Sequence, residues 1–259
     1  MTVTPGRRSP LVPLAALAGT VCLVGLALAQ QNPNVHVVRP EANVQDADAS
    51  RNSRLWVLDF RFKGPRSVKV DIPGRGQRLC WYLWYQVINN TGEPHTFIPD
   101  FELVTHDTNR VYHDQVLPKA QEAIRQLEDP TGYYQIKNSV TIAAEPIPPT
   151  RPNAVPRPVT GVAIWDDVDA ESTRYSIFVS GLSNGWSLTD PIREKGQTKP
   201  VVRRKTLQLQ FRRMGDRYFR GSEDVRYTGH AWIYRDSGLE VPGLPALIGT
   251  TQEKQPKEE

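Results

Sequence analysis

The chain has 259 residues, a formal charge of +4 and two cysteines, and these numbers already limit what it can be. Its 32 basic residues are interspersed with 28 acidic ones, so the small positive excess does not argue for nucleic-acid binding. If residues 1–29 are removed on export, only Cys80 remains, which excludes an intramolecular disulfide. The fold must therefore be stabilised by an apolar core, and the chain is long enough to form one.

The first 29 residues have the pattern of a secretory signal peptide. Arg7 and Arg8 precede an uncharged apolar run at residues 11–29, which ends with the small residues Ala27 and Ala29. A basic region, an apolar core and a small-residue cleavage site in this order are typical of exported proteins. We predict cleavage after Ala29 and a periplasmic or extracellular location. The run is also long enough to cross a bilayer, so the alternative is an uncleaved membrane anchor at residues 11–29.

The remaining chain predicts one β-rich domain between a linker and a tail. Residues 30–53 are polar and lack sustained periodicity, and residues 239–259 are rich in proline, glycine and charge, so we predict both as flexible. Alternating apolar and polar residues place the domain at residues 54–238. The predicted extended segments are residues 55–62, 68–72, 79–88, 101–106, 110–114, 133–144, 160–165, 174–180, 206–212 and 225–234.

The strand at residues 79–88 is the element around which the domain is organised. One face carries Leu79, Trp81, Leu83, Tyr85 and Val87, and the other carries Cys80, Tyr82, Trp84 and Ile88. Because both faces are mostly apolar, we predict a central strand that is covered on both sides. Residues 89–93 supply the residue types of a reversing turn, which predicts a hairpin with the extended run at residues 97–105.

One helix is predicted, and it follows the strand at residues 110–114. Pro118 suits a first helical position, and Pro130 with Gly132 ends the segment. Its apolar face carries Ala120, Ala123, Ile124 and Leu127. The six prolines between residues 146 and 158 exclude a central strand, since each lacks a backbone donor, and they predict a surface connection.

The strand pattern resembles a known class of domain. Five stretches carry the resemblance: residues 87–93 (Val-Ile-Asn-Asn-Thr-Gly-Glu), residues 97–105, the proline-rich approach, residues 161–165 (Gly-Val-Ala-Ile-Trp) and residues 175–179 (Tyr-Ser-Ile-Phe-Val). They resemble the telokin-type, immunoglobulin-like domains of bacterial secreted proteins, and residues 139–185 are similar to uncharacterised exported proteins of planctomycete bacteria. The resemblance implies a mainly β fold, an immunoglobulin-like antiparallel β-sandwich with one short inserted helix, and it implies no catalytic residues.

Three histidines form the first group of candidate metal ligands. If the chain turns at residues 108–109, His106 pairs with Val111, and His113 lies diagonally on the same sheet face. Zinc needs a third and usually a fourth ligand, for which His95 and Asp114 are candidates. The alternative is a set of surface histidines on a polar sheet face.

Four carboxylates form the second group of candidate ligands. Asp166, Asp167, Asp169 and Glu171 lie between two predicted strands, and oxygen atoms are the ligands that Ca²⁺ prefers. The spacing is not that of an EF-hand loop, so the alternative is a solvated acidic turn.

Basic residues cluster near the C-terminal end of the domain. The cluster contains Arg203, Arg204, Lys205, Arg212, Arg213, Arg217 and Arg220. Some of these residues alternate with Leu207 and Leu209, which predicts a charged face on a strand. We interpret it as a solvated face, and the alternative is contact with an anionic polymer or headgroup.

The sequence contains no Gly-x-Ser-x-Gly elbow, phosphate loop or dinucleotide fingerprint. We therefore predict a non-catalytic exported β-sandwich that takes no cofactor and binds an unknown protein or another component of the cell envelope. The partner would not be nucleic acid, and membrane contact is expected only if the N-terminal segment is uncleaved. The alternative function is a metal-dependent hydrolase that uses His95, His106 and His113.

Overall fold

A computed structural model describes Met1 and residues 34–39, 55–169, 171–188, 192–194, 197–199, 202–215 and 224–236. The strands are β1 (Val35–Val38), β2 (Asp59–Lys63), β3 (Arg66–Ile72), β4 (Gly76–Ile88), β5 (Asp100–Thr105), β6 (Arg110–His113), β7 (Val159–Asp166), β8 (Arg174–Ser180), β9 (Trp186–Leu188), β10 (Ile192–Glu194), β11 (Gln197–Lys199), β12 (Val202–Arg213) and β13 (Val225–Asp236). The helices are α1 (Pro118–Glu128) and α2 (Ser139–Ile142). The predicted cleavage site, the tail, Arg217 and Arg220 lie outside the described residues.

No helix in the described part of the chain is long and apolar enough to span a membrane.

Two antiparallel sheets pack face to face, which confirms the predicted mainly β sandwich. In the first sheet β4 is central, with β2 and β3 along one edge and β7 along the other, and β1 extends the sheet beyond β2. In the second sheet the order is β13, β12, β8, β5 and β6, with β9 beside β8 on the same edge of β12. Strands β10 and β11 form a separate two-stranded ladder.

The main core lies between the two sheets. From the first sheet β4 contributes Trp81, Leu83, Tyr85 and Val87, the face predicted from the alternation. From the second sheet come Phe101, Leu103, Tyr175, Ile177, Val179, Leu207, Leu209 and Phe211. The ring centroids of Tyr85 and Phe101 lie 4.8 Å apart, so the two sheets interlock through aromatic side chains.

A second, smaller core covers the opposite face of β4. Cys80, Tyr82 and Trp84 pack there against Ala120 and Ile124 of α1. The prediction that β4 is covered on both sides is therefore confirmed, and the predicted helix supplies the outer cover. Burial raises the pKa of the Cys80 thiol to about 11, so the thiol stays protonated at neutral pH and is a poor nucleophile.

The C-terminal end of α1 is attached to the first sheet through Glu128. This carboxylate is 2% exposed and lies 2.6 Å from Lys63 Nζ and 2.8 Å from Arg66 Nη1. The hydroxyl of Tyr82 on β4 donates a third hydrogen bond at 2.9 Å. One buried anion thus joins the helix to the β2–β3 edge and to the central strand.

The free edge of β7 is covered by the segment that follows β6. The backbone N–H of Ile164 donates to Asp114 Oδ1 at 2.6 Å, and Gln115 N–H donates to the Ile164 carbonyl at 2.8 Å. The Ser139 hydroxyl donates to the second oxygen of Asp114. Burial is the largest influence on this carboxyl and raises its pKa to about 6, although the hydrogen bonds oppose it.

Asp114 should make stability fall as pH rises through mildly acidic values. Its folded-state pKa of about 6 exceeds the usual 3.8, so the folded protein holds a proton that the unfolded chain has lost, and this advantage disappears between pH 4 and pH 6. The expected loss is about 1–3 kcal/mol. Urea unfolding at pH 4 and pH 7 measures it as the difference between the parent and Asp114→Asn, in which the other acids are common to both. An identical pH dependence in both proteins would contradict the assignment.

The predicted hairpin between residues 79–88 and 97–105 is wrong. Strand β5 pairs with β6 and β8 in the second sheet, and the intervening segment crosses from one sheet to the other. Both edges of β4 are already paired with β2, β3 and β7. Pro94 and Pro99 flank the crossing and cannot donate ladder hydrogen bonds, which prevents β5 from continuing against β4.

Two further segments differ from their predictions. Residues 139–142 form α2 within the predicted extended segment, because Asn138 and Thr141 make a reciprocal capping box. Residues 35–38 form β1, which pairs with β2, where a linker was predicted. Val38 is 1% exposed and belongs to the main core, so this short strand is held by its side chain as well as by its pairing with β2.

A candidate ligand cavity on the second sheet

The β5–β6 register places His113 opposite an acid and not beside His106. Glu102 is the partner of His113, and Thr105 is the partner of Arg110. The predicted pairing of His106 with Val111 is wrong by two residues. The turn spans residues 106–109 and places Asn109 at a φ of 50°, a left-handed conformation that asparagine tolerates.

The three candidate histidines do not come together. The His95 ring stacks on Trp56 with centroids 4.3 Å apart, and its backbone exchanges hydrogen bonds with Ile147. His106 is hydrogen-bonded to Ser176 on β8. Among the described residues, the group of ligand atoms within 4.8 Å of one another combines His113 with Asp100 and Glu102.

The four candidate carboxylates after β7 face arginines and their own backbone. Asp166 is buried and lies 3.2 Å from Arg75, while exposed Asp167 lies 3.5 Å from Arg78. Asp169 accepts a hydrogen bond from the backbone N–H of Glu171 at 2.9 Å. In this described loop the carboxylates therefore do not gather around one centre as a calcium site requires.

The basic cluster is divided between the two faces of β12. Lys205 and Arg213 point inward and are buried, and Arg213 donates to the Tyr175 hydroxyl at 2.8 Å. Arg204 and Arg212 are exposed on the opposite face. The interpretation as a solvated face holds for the exposed pair and is wrong for the buried pair, whose long apolar stems fit the ends of the core.

The outer face of the second sheet contains a polar cavity of about 410 Å³. Strands β8 and β12 direct alternate residues to the outer face of the sheet, and five of these residues line the cavity: Arg174, Ser176, Gln208, Gln210 and Arg212. The lining residues are His106, Arg174, Tyr175, Ser176, Gln208, Gln210, Phe211, Arg212 and Thr228. Tyr175 and Phe211 are 1% and 2% exposed, so their rings offer no aromatic platform to a ligand in this cavity.

A hydrogen-bonded network forms the floor of the cavity. The buried hydroxyl of Ser176 lies 2.7 Å from His106 Nε2 and accepts from Gln208 Nε2 at 3.1 Å. Strands β8 and β12 and the β5–β6 turn therefore meet at one oxygen atom. Such a network holds its side chains in fixed positions without a ligand.

Asp107 fixes one wall of the cavity. One carboxylate oxygen accepts hydrogen bonds from the hydroxyls of Ser172 and Thr173 and from the backbone N–H of Arg174. The other oxygen lies 3.4 Å from the Arg174 guanidinium. Burial opposes ionisation here, but these hydrogen bonds outweigh it and hold the pKa of Asp107 well below its usual range. The start of β8 is thereby tied to the β5–β6 turn.

Arg212 is a cationic residue of the cavity lining that is available to bind a ligand. Its exposed guanidinium makes no hydrogen bond or ion pair with any residue that the structure describes, and the same holds for the side-chain amide of Gln210. Arg174 is already paired with Asp107. A guanidinium beside a free amide and an imidazole suits a planar or tetrahedral anion, which accepts several hydrogen bonds at once.

The Ser176–His106 pair also raises the question of nucleophilic catalysis. A catalytic serine needs a base that is oriented by a third group, and donors for the developing oxyanion. Within the described residues, the neighbouring carboxylate of Asp107 is hydrogen-bonded to Thr173 and Arg174 and not to His106. Ser176 is 1% exposed, so its hydroxyl serves as the cavity floor.

A larger cavity, of about 560 Å³, lies where β1 and the β2–β3 break approach β13. Its residues include His36, Arg66 and Tyr227. The Arg66 guanidinium is engaged by Glu128, and the His36 ring packs 4.5 Å from Tyr227. The His36 and Arg66 side chains are thus committed to structure, whereas, within the part of the chain that the structure describes, the exposed Arg226 of the same lining is not, so this cavity is a second candidate that the Arg212 variant below distinguishes from the first.

The residues of the cavity follow a sequence pattern, although they belong to no catalytic or binding motif. Ser176 on β8 and Gln208, Gln210 and Arg212 on β12 are polar residues that alternate with core residues, and two such strands in register give one polar surface. Only the pairing of β8 with β12 and β5 shows that these residues meet.

A scan of protein-family models, a search of curated proteins and a search of solved structures each find no match, so the resemblance to telokin-type domains stays a prediction.

Proposed function

We propose that this protein is an exported, non-catalytic β-sandwich that binds an anionic group of a cell-envelope component in the cavity on its second sheet. The observation that supports the proposal most is the unpaired guanidinium of Arg212, held above a fixed polar floor. The basic and apolar N-terminal pattern supports export.

The chemistry of the cavity supports a small anion in preference to a neutral sugar. Arg212 can donate two parallel hydrogen bonds to a carboxylate or phosphate, with Gln210 as an additional donor. The rings of Tyr175 and Phe211 are turned into the core and are not available to stack on a sugar.

Binding is tested by thermal unfolding with inorganic phosphate, citrate or uncharged glucose at constant ionic strength. An anion at ten times its dissociation constant stabilises the folded protein by about 1.4 kcal/mol, or about 3–5 °C for a domain of this size. We expect phosphate or citrate to give this shift and glucose to give none. The relative shifts for phosphate and citrate show which anion the cavity prefers.

The substitution Arg212→Gln should abolish the shift, because the exposed guanidinium contributes little to folding. Arg204→Gln is the matched control, since Arg204 is also exposed on the outer face of β12 but does not line the cavity. Equal shifts in the parent and in Arg212→Gln would contradict the proposal. A loss in both variants would indicate general charge attraction and no specific site.

The alternative function, a hydrolase that uses His95, His106 and His113, has less support. The ring of His95 is stacked on Trp56, and His106 is bonded to Ser176 two strands away from β6. A metal shared by all three histidines would require both side chains to leave these contacts.

A further inference from the structure

A cluster of three metal-ligating side chains lies at the other end of the outer face of the second sheet. It consists of Asp100, Glu102 and His113. Asp100 and Glu102 are two residues apart on β5 and so point to the same face, while His113 is the direct partner of Glu102 on β6. Two strands in a fixed register therefore present one imidazole and two carboxylates to a single point.

The spacing of the ligand atoms fits one metal ion. They all lie within 4.8 Å of one another, and His113 Nδ1 is 4.0 Å from Glu102 Oε1. Tetrahedral zinc, at about 2.1 Å from each ligand, needs ligand atoms about 3.4 Å apart. Asp100 and His113 are exposed at the sheet surface, so small side-chain rotations are enough to close the difference.

Arg235 holds the Glu102 carboxylate in place. Its Nη1 donates to Oε2 at 2.7 Å, and its guanidinium lies 3.9 Å from the centre of the Phe178 ring. The arginine occupies one oxygen of Glu102 and leaves the other directed at His113. Ligating carboxylates in metal sites are commonly oriented by such a second hydrogen bond.

We propose that Asp100, Glu102 and His113 bind a divalent transition-metal ion, with zinc as the best match to one nitrogen and two oxygen ligands. Imidazole favours zinc over calcium or magnesium, and three protein ligands leave a fourth position open to solvent. This site differs from the one predicted from sequence, since it keeps His113 and replaces the other histidines with acids from β5. It is separate from the cavity around Arg212 and does not depend on anion binding there.

The test is a zinc titration of the full-length protein after chelator treatment, in competition with a chromophoric chelator. We expect one zinc per chain. The variants His113→Ala and Asp100→Asn should each weaken binding by about tenfold or more, since removing even a group that only orients a ligand costs 10–100-fold. Both replaced side chains are exposed, so thermal unfolding without metal should match that of the parent and show that the fold is intact.

The matched control is His106→Ala, which removes another exposed histidine of β5's C-terminal turn without touching the cluster. Its zinc affinity should equal that of the parent. Zinc binding that is unchanged in His113→Ala would overturn the proposal. A loss in His106→Ala as large as that in His113→Ala would also overturn it, because the ion would then be held by histidines and not by the β5 acids.

Discussion

Replacing Trp81 with alanine is expected to lower the free energy of unfolding by about 3–5 kcal/mol, a large share of the roughly 5–15 kcal/mol of a typical domain. The indole is 1% exposed and lies between the sheets, with its centroid 5.2 Å from the Tyr175 ring. Trp84→Ala should cost a similar amount on the opposite face of β4. Its side chain is 4% exposed, and Lys63 Nζ lies 4.5 Å from its ring centre.

The urea midpoints of Trp81→Ala and Trp84→Ala, compared with that of Trp186→Ala, show whether both faces of β4 are buried. Trp186→Ala is the control, because Trp186 is only half-buried at the start of the short strand β9 and should give a smaller shift. If Trp84→Ala unfolds at the parent midpoint, the outer face of the first sheet is not covered by α1. An aromatic ligand surface on that face would then compete with the cavity of the second sheet.

The second large effect is expected from Glu128→Gln, which should cost about 1.5–3 kcal/mol, the range for hydrogen bonds to a charged group, because Arg66 remains partly hydrated. Removing one member of a buried ion pair leaves the other without compensation. In this case Lys63, which is 17% exposed, and the hydroxyl of Tyr82 lose their anionic partner. Burial opposes ionisation of Glu128, but the hydrogen bonds and charges of its partners outweigh it and lower its pKa. The stabilisation is thus present above the unfolded pKa and disappears as pH falls through the folded one.

The denaturant guanidinium chloride is unsuitable for this measurement, because it is a salt and screens charge. The midpoints should therefore be determined in urea at pH 7 and low salt. Glu122→Gln is the matched control, a charge-only change on the same helix at an exposed pair with Arg125. The control should unfold at the parent midpoint. If Glu128→Gln does the same, the helix is held by apolar packing alone.

Local sequence patterns were enough to predict the strands that can be recognised without knowing which other strands they pair with. Strand β8 was predicted at its observed bounds, Arg174–Ser180, because apolar residues at 175, 177 and 179 define the inner face without reference to other strands. The two apolar faces of β4 likewise predicted a central, doubly covered strand. In both strands the residues that belong to the core between the sheets recur at every second position, which the period of the strand alone predicts.

The sequence did not allow us to predict which distant segments pair or contact each other. The turn-like residues 89–93 predicted a hairpin, but Pro94 and Pro99 beyond them redirect the chain to the other sheet. The attachment of Glu128 to Lys63 joins residues 65 positions apart, and neither residue lies in a motif. The candidate metal ligands were misjudged for the same reason, because the observed register differs by two residues and places Glu102 opposite His113, where the prediction had placed His106 diagonally beside it.

The order in which the strands enter the two sheets has a consequence for how the protein folds. The chain forms β1 to β4 in the first sheet, crosses to the second for β5 and β6, returns to the first with β7 and goes back to the second with β8. Neither sheet is made from one continuous stretch, and contacts such as that of Leu58 N–H with the Leu182 carbonyl span more than half of the domain. Closing such long loops is entropically costly and slow. A chain that emerges from its N-terminus leaves Trp81 without Tyr175 until β8 has emerged, and the core between the sheets is complete only when β12 has followed.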